Sequence, residues 1–196
     1  KAEQLVLTEA HVVAGHSEVR LVKKGDEGEV ETTWIADVIA EGEVEGSEGA
    51  DLALLRPRAK LNLPSAKLDF TVKLERGEDV WVVGSHSGLH GSLEKTVVNR
   101  PTYRITDDFT DRDYLLVNGN LWYGNSGGPV FAKRGEDYVL VGIVVRLAAL
   151  NPRTPICCEK LNSIEKFLKE MPKPKPKEEP KEEKDGGDPT AARRRP

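Results

Sequence analysis

Cysteine is almost absent from the chain: there are two, Cys157 and Cys158, and they are neighbours. Adjacent cysteines are poorly placed to bridge each other and leave no cross-link to a distant segment, so stability rests on packing. Long apolar runs are lacking too, which excludes a helical membrane span. Positive charge is not in excess, with 29 Lys and Arg against 33 Asp and Glu, so nucleic acid is excluded as the main partner. No internal repeat is visible, and no histidine follows His90. What remains is a chain of 196 residues, 38% hydrophobic and 32% charged, enough for one ordinary domain or for two small barrels sharing an interface.

Alternation predicts mostly strands. Residues 4–8 read as a strand running into a small-residue turn that carries His11, and residues 17–23 alternate Val19 and Leu21 against Glu18 and Arg20. Residues 29–40 are apolar on both parities, which predicts a strand buried on both faces or bulged. A Gly/Glu-rich loop then delivers Asp51 to the strand 52–56, making residues 30–56 a long antiparallel hairpin. After a less regular connection with one short strand, a second set is predicted at 79–84, 92–105, 114–117, 130–133 and 138–145. Residues 106–113 read as an acidic turn, and 159–171 carry Leu161, Ile164, Phe167 and Leu168 at helical spacing. From residue 172, Pro/Lys alternation followed by Glu/Lys blocks and Arg193, Arg194 and Arg195 predicts a disordered tail.

The candidate chemistry centres on Gly124-Asn125-Ser126-Gly127-Gly128-Pro129. Glycines flanking a serine allow successive N–H groups to point into one concavity beside the hydroxyl, as acyl transfer requires. A plain glycine turn between strands would have the same local sequence. If Ser126 is a nucleophile, it needs a base and an orienting acid. All four histidines, His11, His16, His86 and His90, precede Ser126, and a strand follows Pro129. That order excludes the strand-to-helix elbow of an alpha/beta-hydrolase and suits a His, Asp, Ser order on paired antiparallel barrels. His86 and His90 are spaced like a zinc pair, but a hairpin-like Ser87-Gly88-Leu89 separates them and no third ligand is apparent, so no metal is expected.

Three segments carry a resemblance. Leu7-Thr8-Glu9-Ala10-His11-Val12-Val13, Asp51-Leu52-Ala53-Leu54-Leu55 and the Ser126 motif together resemble the signature segments of trypsin-like serine endopeptidases of chymotrypsin fold, nearest to the disulfide-free Deg-type and viral branch. The resemblance covers residues 4–171. It implies an all-β fold of two antiparallel six-stranded β-barrels with a C-terminal α-helix, the first barrel incomplete because about two strands before His11 are missing from the chain. The implied division is a partial N-terminal barrel at 1–60, a connection at 61–77, a second barrel with the closing helix at 78–171, and the tail at 172–196. The implied roles are His11 as general base, Asp51 as orienting anion, Ser126 as nucleophile, and the N–H groups of Gly124 and Ser126 as the oxyanion hole. Substrate would be lined by Asn120, Leu121 and Trp122 before the motif and by Val145, Arg146 and Leu147 across from it. With no acid at the pocket floor, a small or medium uncharged residue is expected at the cleavage position. The expected function is peptide-bond hydrolysis on a protein or peptide, without a cofactor. The alternatives are a protease-fold binding module and a polyprotein-processing protease.

Overall fold

A computed structural model of the chain describes residues 4–43, 49–85, 91–106, 111–119, 124–147 and 155–170. Two sheets organise it. The first is a four-stranded antiparallel sheet formed by β1 (Val6–Thr8), β2 (Glu18–Lys24), β3 (Val30–Glu41) and β4 (Ala53–Pro57), in the order β1-β4-β3-β2. The two apolar parities of residues 29–40 resolve into a bulge, because the β3–β4 register slips between Val38 and Ala40. Ala36 and Val38, before the bulge and on one parity, face the core of this sheet, while Ile35 on the other parity is exposed.

The residues after β1 are not a bare turn. They form α1 (Ala10–Val13), a single helical turn entered from an extended Glu9 with φ −84° and ψ 146°. Ala10 and Val13, three apart and so on one side of the turn, are buried against Ala36, Ala53 and Leu55. This anchoring leaves His11 and Val12 on the outer side.

The second sheet closes on itself. Strands β6 (Asp79–Gly84), β7 (Ser92–Thr106), β8 (Asp111–Val117), β9 (Pro129–Arg134), β10 (Asp137–Leu147) and β11 (Ile156–Lys160) run in the order β11-β8-β7-β6-β9-β10, and β10 pairs back onto β11. The short β5 (Lys67–Leu68) lies parallel beside the start of β10. Inside this ring are Val80, Val82, Val98, Leu115, Val117, Val130, Val141 and Ile156, all buried.

One expectation is corrected here. Residues 156–160 form the closing strand, and the helix α2 (Leu161–Glu170) starts only after it. Cys157 and Cys158 are both fully buried within β11 and form no disulfide, acting as the small hydrophobic residues that tight barrel closure needs. The expected acidic turn at 106–113 is also shorter, since Asp111, Arg112 and Asp113 belong to β8. The tail, His86 and His90 lie outside the described residues.

A third apolar cluster joins the two sheets. Ala50 and Leu52, on either side of Asp51, are buried with Leu140 and Ile143 of β10 and Ile164 of α2. Among the described residues no helix is long and apolar enough to cross a membrane.

Candidate active site

Asp51 stands just before β4, and its carboxylate grips the α1 turn at two points. Oδ1 accepts the backbone N–H of His11 at 2.9 Å, and Oδ2 lies 2.6 Å from His11 Nδ1. The first bond fixes the helical turn and the second fixes the ring on it. With Nδ1 protonated toward the carboxylate, Nε2 is the free lone pair of the neutral imidazole. The side chain of Asp51 is 5% exposed and that of His11 is 34% exposed, so the anion is sheltered while the ring opens to solvent. The bond to Asp51 raises the His11 titration above its ordinary value, opposed in part by burial.

Ser126 is presented by a loop whose backbone is tied into the second barrel. Gly127 N–H donates to Val144 O at 2.9 Å, Gly128 N–H to Asn125 O at 2.9 Å, and Val144 N–H to Gly128 O at 2.9 Å. Gly127 has φ +82°, and a Cβ there would come within 2.4 Å of Thr8 Oγ1 and 3.6 Å of Glu9 N. Only glycine suits this position, because the loop lies directly against the residues that lead into His11. Asn125 is buried, its Oδ1 set where a side chain on Gly84 would be.

The Ser126 hydroxyl donates to the Val145 carbonyl at 3.0 Å. Among the described residues no hydrogen bond joins it to His11. The acceptor is available because β10 is bulged against β11: Val144 faces Cys158 and Arg146 faces Cys157, leaving Val145 as the extra residue. The Val145 side chain is buried with Tyr114, Leu116 and Cys157. The Arg146 guanidinium lies over the Tyr114 ring at 5.8 Å, and Leu147 packs on the barrel core. Asn120, Leu121 and Trp122 fall outside the described residues.

Sequence reasoning gave no role to three further side chains around Asp51. Glu9, Glu159 and Arg112 are 0%, 1% and 5% exposed. Glu159 Oε1 accepts the Asp51 backbone N–H at 2.9 Å and lies 3.7 Å from Arg112 Nη1. Arg112 Nη2 donates to the Glu43 carbonyl at 2.8 Å. Burial, then the nearby Glu159 and Asp51 charges, push Glu9 well above the usual carboxylate range. Burial also raises Glu159, against the Asp51 N–H and Arg112, which favour its charged form. A signal existed for Glu9 alone, which sits inside a quoted motif two residues before His11. One donor atom each from Glu9, His11 and Asp51 lies within 4.8 Å of the others, a spacing open to a metal ion, although His11 and Asp51 already satisfy each other there.

Over residues 1–143 the sequence matches the trypsin-like peptidase domain family. The chain belongs to that family. This trypsin-like peptidase domain is 33% identical over 152 residues to the putative protease Do-like 14 of Arabidopsis thaliana, covering 76% of the chain and 34% of that protein. It is 31% identical over 139 residues to the mitochondrial serine protease HTRA2 of Bos taurus, covering 69% of the chain and 28% of that protein. It thus spans about a third of the length of the curated relatives it matches. Among solved structures, the Rv3671c protease of M. tuberculosis in its active form aligns with a TM-score of 0.66 at 24% identity, covering 88% of this chain and 71% of that one. The HtrA-type protease AlgW with a decapeptide aligns with a TM-score of 0.66 at 21% identity, covering 86% and 48%. At these identities the structures establish the fold, mostly β with two sheets and one C-terminal helix.

Proposed function

We propose that this trypsin-like domain is a serine endopeptidase that hydrolyses peptide bonds through an acyl-enzyme. The observation that carries the reading is the two-point grip of Asp51 on His11, set beside a glycine-framed Ser126 loop that abuts Thr8. In the first step His11 Nε2 takes the Ser126 proton as Oγ bonds to the scissile carbonyl carbon. The resulting oxyanion meets the N–H groups of Gly124 and Ser126. Gly124 has φ +102°, a left-handed conformation that favours glycine. The imidazolium, stabilised by Asp51, then gives its proton to the leaving amine, and water repeats the sequence to release the acid. For substrate we propose a protein or peptide, in line with the decapeptide held by AlgW. Of the residues expected to meet the substrate side chain, the described ones are Val145, Arg146 and Leu147 at the end of β10, and we propose that this strand borders the pocket, with a small or medium uncharged residue preferred at the cleavage position.

A second reading is a protease-fold binding module, favoured by the Ser126 hydroxyl resting on the Val145 carbonyl instead of on His11. A fluorophosphonate probe separates the two. The endopeptidase reading expects covalent labelling that Ser126→Ala abolishes. Absence of labelling, or labelling that survives Ser126→Ala, overturns it.

A further inference from the structure

The amide of Asp51 is held by a side chain from the opposite sheet. Ala50 and Leu52 on either side of it are buried against β10 and α2, so the backbone at Asp51 is out of reach of solvent and its N–H needs an internal acceptor. That acceptor is Glu159 Oε1, 108 residues away on the strand that closes the second barrel. Glu159 is itself braced, by Arg112 of β8 at 3.7 Å and by a bond from Ser163 of α2. Arg112 in turn holds the Glu43 carbonyl at the other end of the loop that delivers Asp51. Both ends of that loop are therefore tied to the barrel that carries Ser126. A carboxylate whose job is to aim a ring is sensitive to displacements well under an ångström. The α1 turn offers no such restraint of its own, being four residues long.

We infer that Glu159, braced by Arg112, is a positioning residue for Asp51: its grip on the Asp51 amide, across the junction of the two sheets, sets the His11–Asp51 bond. The inference rests on the assignment of His11, Asp51 and Ser126 above. Glu159 touches neither substrate nor the reacting atoms and acts only through the backbone of Asp51. Among the described residues the charged and titratable groups coupled around Asp51 are His11, Glu9, Glu159 and Arg112, with the buried Cys158 thiol coupled to Glu9 and Glu159, so the test must change the acceptor without adding a charge.

Two variants do so. Glu159→Gln keeps an acceptor oxygen, and Arg112→Met/Glu159→Leu removes the acceptor together with its buried counter-charge. Proton NMR of His11 reads the bond directly, as a deshielded Nδ1–H resonance and as the imidazole titration midpoint, whether or not the protein is a protease. Fluorophosphonate labelling rate reads its consequence. The expected result is that Glu159→Gln retains the resonance and at least a third of the labelling rate. The double variant, folded by a cooperative melt, is expected to lose the resonance, to titrate lower, and to label at least ten-fold more slowly. A folded double variant with the wild-type resonance, midpoint and rate overturns the inference. Unfolding of the double variant while Glu159→Gln folds also overturns it, by assigning the pair to assembly of the sheets. A wild-type protein that shows the resonance but does not label sinks the protease reading, and the resonance then decides the positioning role by itself.

Discussion

Asp51 bonds His11 at Nδ1 and raises its titration above the ordinary value of 6.5, so in the proposed mechanism the neutral base predominates only at a pH higher than that. The rising limb of kcat/KM against pH is therefore expected to have its midpoint above 6.5. In Asp51→Asn it should move down, with kcat lower by roughly four orders of magnitude because the ring loses its tautomer and its counter-charge. For stability the sign runs the other way. The raised folded-state value makes the His11–Asp51 contribution complete below the unfolded value and lost as pH rises through the folded one. Glu9 adds a second slope of the same sign. Its folded-state titration is raised, so the folded protein retains a proton that the unfolded chain releases above about pH 4.5, and stability falls as pH climbs beyond that. Glu9→Gln removes the slope: its melting temperature is expected to exceed wild type by more at pH 8 than at pH 5. The candidate histidine, acid and serine are legible because each stands at the end of a readable strand or in a glycine turn, and the structure bonds the first two to each other. Glu9 and Glu159 are not legible, because a carboxyl entering an interior looks the same in one dimension as one entering water.

Strand alternation located nearly every strand, and the dual parity of residues 29–40 announced the Val38 bulge. It failed at β11, where Ile156-Cys157-Cys158-Glu159-Lys160 abuts a helix with no turn residue between and is buried on both faces. Without polar alternation residues 156–158 carry no strand signal, and Glu159 and Lys160 are absorbed into the helical period that follows. The α1 turn failed for a related reason, since four residues are too few to show a period. Two element-level outcomes follow. Ile164→Ala, at a fully buried site joining α2 to both sheets, is expected to lower unfolding free energy by about 2–5 kcal/mol in denaturant titration. Gly127→Ala, forced into a left-handed conformation and against Thr8, is expected to cost about 1–3 kcal/mol and to slow probe labelling.

The two sheets are not equivalent. The serine is mounted on a closed ring of six strands, whereas the histidine and aspartate are mounted on a sheet of four whose outer strands, β1 and β2, each pair on one side only among the described residues. Amide hydrogen exchange is expected to be slowest in β6, β9 and β10 and fastest in β2, with α1 between them because Asp51 holds its first turn. Exchange in β10 faster than in β2 would contradict this ordering. Two sheets with His before Asp before Ser were readable from chain order, but the buried contacts between them were not, since they depend on residues more than a hundred positions apart such as Asp51 and Glu159. The resting partner of Ser126 belongs to the same architecture. A main-chain oxygen holds the hydroxyl, so no side-chain exchange at position 145 can delete the contact. The resting contact of the proposed nucleophile thus depends on a count, the one surplus residue between Val144 and Arg146, and removing that residue is expected to change the contact while leaving every side chain of the proposed triad in place.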